Sequence, residues 1–272
     1  MAEMQLWQAL LLAVVQGLTE FLPISSSGHL VVLETWMGLQ TAELLFFDVL
    51  LHVATLAAIC IYFHKKIIAL ALSLLPGAAP AEVQTNRRMI AAIVISTLIT
   101  GGIGLQMRDW MDVIRHSLPG VGVAFIGTGL LLWATSRCTP TREDAFSQGW
   151  QFIILFAVAM GLAQSLAILP GVSRSGATVC VAILLGMKSN FALEYSFVMS
   201  IPAIVGAALL ELRDAQMVIS VTAGIAGFVT ALVSGLLFLW LLALIVRRGQ
   251  LHYFAFYVIP LGLLLIGQSI IG

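Results

Sequence analysis

The chain of 272 residues has a net charge of zero, and its composition excludes most soluble proteins. Hydrophobic residues make up 60% of the sequence and charged residues only 10%, whereas roughly a quarter of a soluble domain is charged. The balanced charge also gives no indication of a nucleic-acid-binding surface. We therefore interpret the sequence as an all-α polytopic membrane protein with a single membrane domain, 1–272.

The chain contains two kinds of apolar segment: two that are broken near the middle, and unbroken runs that follow each of them. The first segment, 4–37, is broken near its middle by Pro, Ser and Gly, and 150–187 is broken in the same way. Each of these two is predicted to be a re-entrant helical hairpin, which enters the membrane and leaves on the same side; a single kinked span is the alternative. Six unbroken runs of about 20 residues or more are predicted transmembrane helices. They are 44–64, 87–107 and 118–136 after the first broken segment, and 192–211, 217–246 and 252–271 after the second.

A serine-rich motif occurs at equivalent places in the two broken segments. QGLTEFLPISSSGH begins at Gln16 and QSLAILPGVSRSGA begins at Gln164, an offset of 148 positions without gaps. The three spans between the hairpins reverse the side of the membrane, which predicts an inverted-topology repeat with halves of roughly 1–136 and 137–272. The hairpins would then enter from opposite faces, and we expect their tips to meet at a binding site.

The basic residues predict an orientation, because Lys and Arg favour cytoplasmic loops. Nine lie in the loops predicted to be inside: Lys65, Lys66, Arg87, Arg88, Arg137, Arg142, Lys188, Arg247 and Arg248. Three lie in the loops predicted to be outside: Arg108, Arg115 and Arg213. This asymmetry places both termini on the outer face of the membrane.

Arg174 lies in the second tip, where a charged side chain is costly unless it is paired. An arginine at the bilayer centre costs about 2.5–3.5 kcal/mol on insertion scales. Its neighbours Ser173 and Ser175 favour a helix N-terminus, whose free N–H groups, including that of Gly176, attract anions. Together with the guanidinium, they predict a phosphate-binding site. The alternative is an ion pair between Arg174 and Glu194.

The residues of the first tip predict anion binding and catalysis. Ser25, Ser26 and Ser27 precede a predicted helix and offer hydroxyl and N–H groups to an anion. His29 lies one helical turn after Ser26, so the two side chains share a face. A histidine beside a serine can act as base or acid in an attack on phosphorus. The alternative is a histidine that only hydrogen-bonds the loop backbone.

Gln16 and Glu20 are four residues apart and therefore share one face of the helix that leads to the first tip. A carboxylate repels phosphate unless it is protonated or a divalent cation lies between them. Oxygen ligands favour Mg²⁺ or Ca²⁺, so both residues are predicted metal ligands. The alternative is that Glu20 only pairs with Arg174 across the two halves.

Three further polar side chains lie in apolar sequence near the predicted site. Asp48 and His52 belong to the segment FDVLLH, and Glu194 begins EYSFVMSIP. They are predicted to contact the residues that bind the ligand or to line the entrance. For Asp48 and Glu194, simple solvation at a helix end is the alternative.

The chain closely resembles the bacterial undecaprenyl pyrophosphate phosphatase family, also known as the bacitracin-resistance protein family. Three motifs carry the resemblance over essentially the whole chain. An (E/Q)-x-x-x-E segment matches Gln16 to Glu20, P-x-S-S-x-G-H matches Pro23 to His29, and P-G-x-S-R-S-G-A-T matches Pro170 to Thr178. Some members have glutamate where this chain has Gln16, which leaves more of any metal binding to Glu20.

The resemblance implies an enzyme that hydrolyses undecaprenyl pyrophosphate to the lipid monophosphate and inorganic phosphate, recycling the carrier of cell-wall polymers. It implies a multi-pass protein of the bacterial cytoplasmic membrane, with a site open to the periplasm and a need for Mg²⁺ or Ca²⁺. The catalytic residues carried over are Ser26, His29, Glu20 and Arg174. The sequence also allows a homodimer.

A transporter is the competing class, because inverted repeats with broken helices are typical of transporters. A lipid-phosphate flippase would fit the same predicted fold. Ser, His, Glu and Arg together at the two tips favour the enzyme, since transport alone needs no nucleophile or base.

Overall fold

The computed structural model of the chain describes residues 4–39, 41–76, 80–107, 114, 117–213 and 219–271. Within these ranges the regular structure is helical, apart from one isolated bridge between Arg142 and Met187. The α-helices are α1 (Leu6–Phe21), α2 (Ser26–Trp36), α3 (Thr41–Tyr62), α4 (His64–Leu72), α5 (Pro80–Gln106), α6 (Leu118–Ala134), α7 (Trp150–Leu166), α8 (Arg174–Leu184), α9 (Ser189–Glu211), α10 (Val221–Arg247) and α11 (Ala255–Ile271). Short 3₁₀ turns follow α6 and α10, at Thr135–Arg137 and Leu251–Phe254.

Six stretches of helix in the described part of the chain are long and apolar enough to cross a membrane, which agrees with the predicted number. They are Leu44–Tyr62, Val83–Gln106, Leu118–Arg137, Ser189–Glu211, Val221–Arg247 and Leu251–Ser269. The fifth begins at Val221, and residues 217 and 218 of the predicted span lie outside the described residues. Arg108 and Arg115, used to predict the orientation, also lie outside them.

Each broken segment forms two short helices that contact each other, α1 with α2 and α7 with α8. α1 has 16 residues and α7 has 17. At 1.5 Å per residue they rise about 24–26 Å, which is less than the roughly 30 Å of a bilayer core. The partners α2 and α8 have 11 residues each and are shorter still.

Both breaks have a local cause. α1 ends at Phe21, and Leu22 has extended backbone, because Pro23 disfavours the helical conformation in the residue before it. In the second break, Pro170 is followed by Gly171, whose φ of 97° strains any residue with a side chain. The first helix therefore ends where the sequence predicts, whereas α7 ends at Leu166, four residues before Pro170, and the proline and glycine shape the turn that leads to α8.

The short helices pack against spans from the other half of the chain. α1 lies against α10, and α7 lies against α5. Small residues allow this close approach. A Cβ atom added at Gly17 would lie 2.7 Å from the backbone nitrogen of Gly235, and one added at Gly161 would lie 3.0 Å from Cα of Ser96. This packing holds the two breaks inside the protein.

Candidate active site

The helices α2 and α8 begin with the same serine cap. The Ser25 hydroxyl accepts a hydrogen bond from the backbone N–H of Gly28 at 3.4 Å, and that of Ser173 accepts one from Gly176 at 3.0 Å. Ser25 also accepts a bond from the N–H of Gly171 at 3.2 Å. The cap of the first helix therefore links the two tips.

The two tips are in direct contact at further points. A Cβ atom added at Gly28 would lie 3.0 Å from Cα of Gly171. The Ser175 hydroxyl lies 3.4 Å from the carbonyl oxygen of Leu22, to which it donates. Thr128 on α6 donates to the carbonyl of Gly171 at 3.0 Å and so supports the second tip. The two sequence breaks thus meet in space.

Glu20 lies between the predicted nucleophile and the predicted anion-binding arginine. The hydroxyl of Ser26 donates to Oε2 of Glu20 at 2.6 Å. Nη2 of Arg174 donates to the other carboxylate oxygen, Oε1. The Glu20 side chain is 6% exposed and that of Arg174 is 14% exposed, so water screens this pair little. One carboxylate therefore joins the two tips.

The Arg174 guanidinium has a second contact and a nitrogen without a partner. Its guanidinium carbon lies 5.5 Å from the ring centroid of Phe197, a distance that allows a cation–π contact. Nη1 is buried and has no hydrogen-bond partner among the described residues. The alternative partner Glu194 instead pairs with Lys66 at 3.1 Å. The structure therefore gives Arg174 the partner Glu20 and leaves Nη1 without a partner among the described residues.

Gln16 and His52 lie on the other side of the Glu20 carboxylate. Nε2 of Gln16 donates to Oε2 of Glu20 at 3.3 Å, and Oε1 of Gln16 is buried without a partner among the described residues. Nε2 of His52 lies 3.8 Å from the same Glu20 oxygen. His52 is held by its Nδ1 atom, which bonds to the backbone carbonyl of Asp48 at 2.8 Å. His52 thus lies beside the Glu20 carboxylate, and the Asp48 backbone holds the His52 ring.

His29 has partners other than the predicted one. Its Nδ1 atom bonds to the backbone carbonyl of Ser25 at 2.7 Å, and Nε2 lies 2.9 Å from the hydroxyl of Tyr257. The ring also meets the edge of Phe125, with centroids 5.1 Å apart. The spacing predicts a shared face for Ser26 and His29, but the Ser26 hydroxyl donates to Glu20 and both ring nitrogens of His29 have other partners. The bond to the loop backbone, the alternative given by the sequence, is present.

The remaining predicted phosphate ligands lie at the starts of α2 and α8. The hydroxyl oxygens of Ser27 and Ser25 are 3.4 Å apart, and those of Ser175 and Ser173 are 3.2 Å apart. Ser27 is half-buried and the other three are buried. The two helices therefore begin at the residues that bond to Glu20, and the Gly176 N–H, predicted to be free for an anion, instead donates to the Ser173 hydroxyl.

Sequence reasoning missed three residues that hold this arrangement. Thr128 and Tyr257 lie in predicted spans, and Phe197 lies in α9. The hydroxyls of Thr128 and Tyr257 were the usable signals, because a polar group in a membrane helix needs a partner. The roles of Tyr257 and Phe197 depend on contacts across the fold, which residue type alone does not reveal.

Ser26, Glu20 and Arg174 meet where the two broken apolar segments contact each other, inside a bundle of membrane-spanning helices. The chain is a multi-pass membrane protein with a polar site inside its helical bundle. It belongs to the family of the bacitracin resistance protein BacA, which it matches over residues 9–264.

Related proteins cover nearly the whole chain. The undecaprenyl-diphosphatase of Treponema denticola is 42% identical over 266 residues, which is 96% of each chain. That of Carboxydothermus hydrogenoformans is 38% identical over 265 residues, 95% of each chain. That of Korarchaeum cryptofilum is 36% identical over 267 residues, 96% of this chain and 98% of the relative.

Proposed function

We propose that the protein is an integral-membrane phosphatase that hydrolyses undecaprenyl pyrophosphate to undecaprenyl phosphate and inorganic phosphate. One observation carries the assignment beyond the names of the relatives. Ser26 and Arg174, from opposite halves of the sequence, both bond to the carboxylate of Glu20 in a buried site. A nucleophile, a proton acceptor and a cation at one point are the groups that phosphoryl transfer through a covalent intermediate requires.

We infer that the fold is an inverted-topology repeat of 1–136 and 137–272, with α1–α2 and α7–α8 as re-entrant hairpins. Two observations support it. α2 and α8 begin at Ser26 and Arg174, and α3 and α9 begin at Thr41 and Ser189, which is the sequence offset of 148 both times. The packing of α1 on α10 and of α7 on α5 is the exchange that two related halves would give.

The orientation is part of the proposal. The excess of Lys and Arg in alternate loops favours periplasmic termini in the bacterial inner membrane. The diphosphate would then reach the tips from the periplasm, and the isoprenyl tail would lie among the apolar helices and the surrounding lipid.

In the mechanism we propose, the diphosphate binds where the two helix N-termini converge, with Nη1 of Arg174 donating to a phosphoryl oxygen. The Ser26 oxygen attacks the terminal phosphorus, the bond to the lipid phosphate breaks, and the lipid monophosphate leaves. Glu20 accepts the Ser26 proton, because its Oε2 atom already accepts the hydrogen bond of that hydroxyl. Water then cleaves the phosphoserine, and the serine oxygen recovers its proton as inorganic phosphate is released. Direct attack by water on the diphosphate is the alternative.

A divalent cation, Mg²⁺ or Ca²⁺, fits the oxygen atoms at this site. The described residues hold no cluster of three or more His, Cys, Asp or Glu side chains, so they form no all-protein cage. Mg²⁺ is commonly bound by one or two protein oxygens together with substrate phosphates. Glu20 and the unpartnered Oε1 atom of Gln16 would supply those oxygens. When bound, the ion would neutralise charge on the phosphate and remove its repulsion by Glu20.

Phosphate release by the purified protein in detergent tests the proposal. With Mg²⁺ or Ca²⁺ present, we expect the wild type to release phosphate from undecaprenyl pyrophosphate, and Ser26→Ala to be slower by about 1,000-fold or more, as for other lost nucleophiles. Ser234→Ala is the matched control, because this half-buried serine bonds only to helix carbonyls in α10 and α1. A wild type without phosphate release would refute the phosphatase and favour the flippase, since hydrolysis needs no sealed compartment. Full activity in Ser26→Ala would instead favour direct attack by water.

A further inference from the structure

We propose that Tyr257 is a positioning residue of the active site, which acts through His29 on the backbone that carries Ser26. This inference rests on the proposed phosphatase function. Tyr257 lies on α11, 228 residues from His29 in the sequence. Its hydroxyl is 2.9 Å from Nε2 of His29, and the two rings are stacked at 15° with centroids 5.8 Å apart.

The partners of His29 define its tautomer. The backbone carbonyl of Ser25 can only accept a hydrogen bond, so Nδ1 of His29 must carry the proton of their 2.7 Å bond. In the neutral ring, Nε2 is then an acceptor. The hydroxyl of Tyr257 is therefore the donor to Nε2. Tyrosine is suited to this arrangement because phenylalanine would keep the ring contact but leave Nε2 without its donor.

His29 in turn holds a strained part of the backbone. Ser25 has a φ of 69°, the only positive value at a non-glycine position among the described residues. Such a conformation is maintained only when surrounding contacts determine it. The carbonyl of Ser25 accepts two bonds from His29, one from the ring and one from the backbone N–H at 3.3 Å. The peptide that leads into Ser26 is therefore fixed in part by the orientation of the His29 ring.

Two aromatic side chains fix the plane of that ring. The Tyr257 ring lies nearly parallel to it, at 15°, and Phe125 meets it with an interplanar angle of 76°. Phe125 is fully buried, whereas Tyr257 is 48% exposed. Because so much of Tyr257 remains outside the packed interior, removing its hydroxyl tests the hydrogen bond with little change in the core.

Steady-state kinetics with Tyr257→Phe test the role. We expect kcat to fall about 3- to 10-fold, the size expected from one lost hydrogen bond, with KM within about twofold of the wild type. The effect falls on kcat because the nucleophile is misplaced while the groups that bind phosphate are intact. Tyr253→Phe is the matched control: this tyrosine is 57% exposed, and its ring packs against His252, with centroids 4.4 Å apart, instead of His29. Wild-type kcat in Tyr257→Phe, or an equal loss in the control, would overturn the inference.

Nitrogen-15 NMR of protein labelled at histidine gives a readout that does not depend on activity. We expect His29 in the wild type to be protonated at Nδ1, and Tyr257→Phe to move the Nε2 resonance while Tyr253→Phe leaves it unchanged. His29→Asn identifies the resonances. A wild-type His29 protonated at Nε2 would overturn the inference even if phosphate release confirms the phosphatase. A protein that releases no phosphate but shows the expected resonances would refute the proposed function and leave the hydrogen-bond geometry intact.

Discussion

The two tips share one backbone plan and differ in the chemistry that they supply. Ser25 and Ser173 cap helices of the same length, 11 residues, and each cap bonds to the N–H of a glycine three residues later. The first residue of the helix is Ser26 in one tip and Arg174 in the other. The two helix ends are thus equivalent in backbone, while a serine and an arginine at matching positions supply the proposed nucleophile in one tip and a cation in the other.

The segments that lead to the two tips also share one polar residue and differ at another. Gln16 and Gln164 are equivalent by the sequence offset, and both are buried with an unpartnered Oε1 atom among the described residues. Gln16 donates to the Glu20 carboxylate, whereas Gln164 donates to the hydroxyl of Thr100 at 3.3 Å. The position equivalent to Glu20 is Ile168. The second half therefore keeps the buried amide without the carboxylate, which confines the candidate metal ligands to the first half.

The largest effect expected from breaking this division of roles comes from Arg174. We expect Arg174→Ala to lower kcat/KM for phosphate release by about 100- to 1,000-fold, as when one electrostatic donor to the transition state is removed. The kcat/KM of Arg174→Lys should lie between those of the alanine variant and the wild type, because lysine keeps the charge but lacks the bidentate donors of the guanidinium. Arg247→Ala is the control, since Arg247 is exposed and bonds to Asn190. Activity in Arg174→Ala within tenfold of the wild type would contradict the assigned role.

A smaller effect is expected on stability, because the two tips differ in the space around an equivalent glycine. A Cβ atom at Gly28 would lie 2.7 Å from the Phe125 ring, whereas at Gly176 the nearest atoms are in the Ser173 side chain at 3.1 Å. We expect Gly28→Ala to lower the free energy of unfolding by about 1–3 kcal/mol, the usual cost of overpacking, and Gly176→Ala to lower it less. Thermal unfolding in detergent measures both. Gly127→Ala should cause no loss, because nothing lies within 4 Å of the added atom.

Equal stability losses in the two tip variants would show that the contact between tips does not depend on the space at Gly28. A stable Gly28→Ala protein with full activity would contradict the close approach of the tips in solution.

The smallest expected effect distinguishes the two equivalent glutamines. We expect Gln16→Ala to raise the Mg²⁺ or Ca²⁺ concentration that gives half-maximal phosphate release by about tenfold, the lower end of the cost of losing a group that supports a metal site. Gln164→Ala is the matched control and should leave that concentration unchanged, because its amide faces Thr100. Titration of both variants with each cation measures this. An equal change in both variants would assign the effect to packing and refute Gln16 as a ligand.

The sequence was most informative where structure depends on local composition. Pro23 and Pro170 marked the breaks, and Ser25 and Ser173 marked the helix starts, since capping needs only a hydroxyl at the right position. The sequence was less informative about which side chains form hydrogen bonds with each other. The spacing of Ser26 and His29 placed them on one helix face, yet Ser26 bonds to Glu20 and His29 to Ser25 and Tyr257. A shared face allows a contact but does not choose between it and a better partner across the fold.

The amino-acid sequence by itself determined the membrane character, the number of long apolar helices, the two capped breaks and the residue types available at each tip. These follow from hydrophobicity and backbone preferences that act within a few residues of one another. Only the tertiary structure decided that Glu20 joins Ser26 to Arg174 and that Tyr257 holds His29. Those partners are 154 and 228 residues apart, and a buried polar group takes whichever partner the packing of the helices brings within reach.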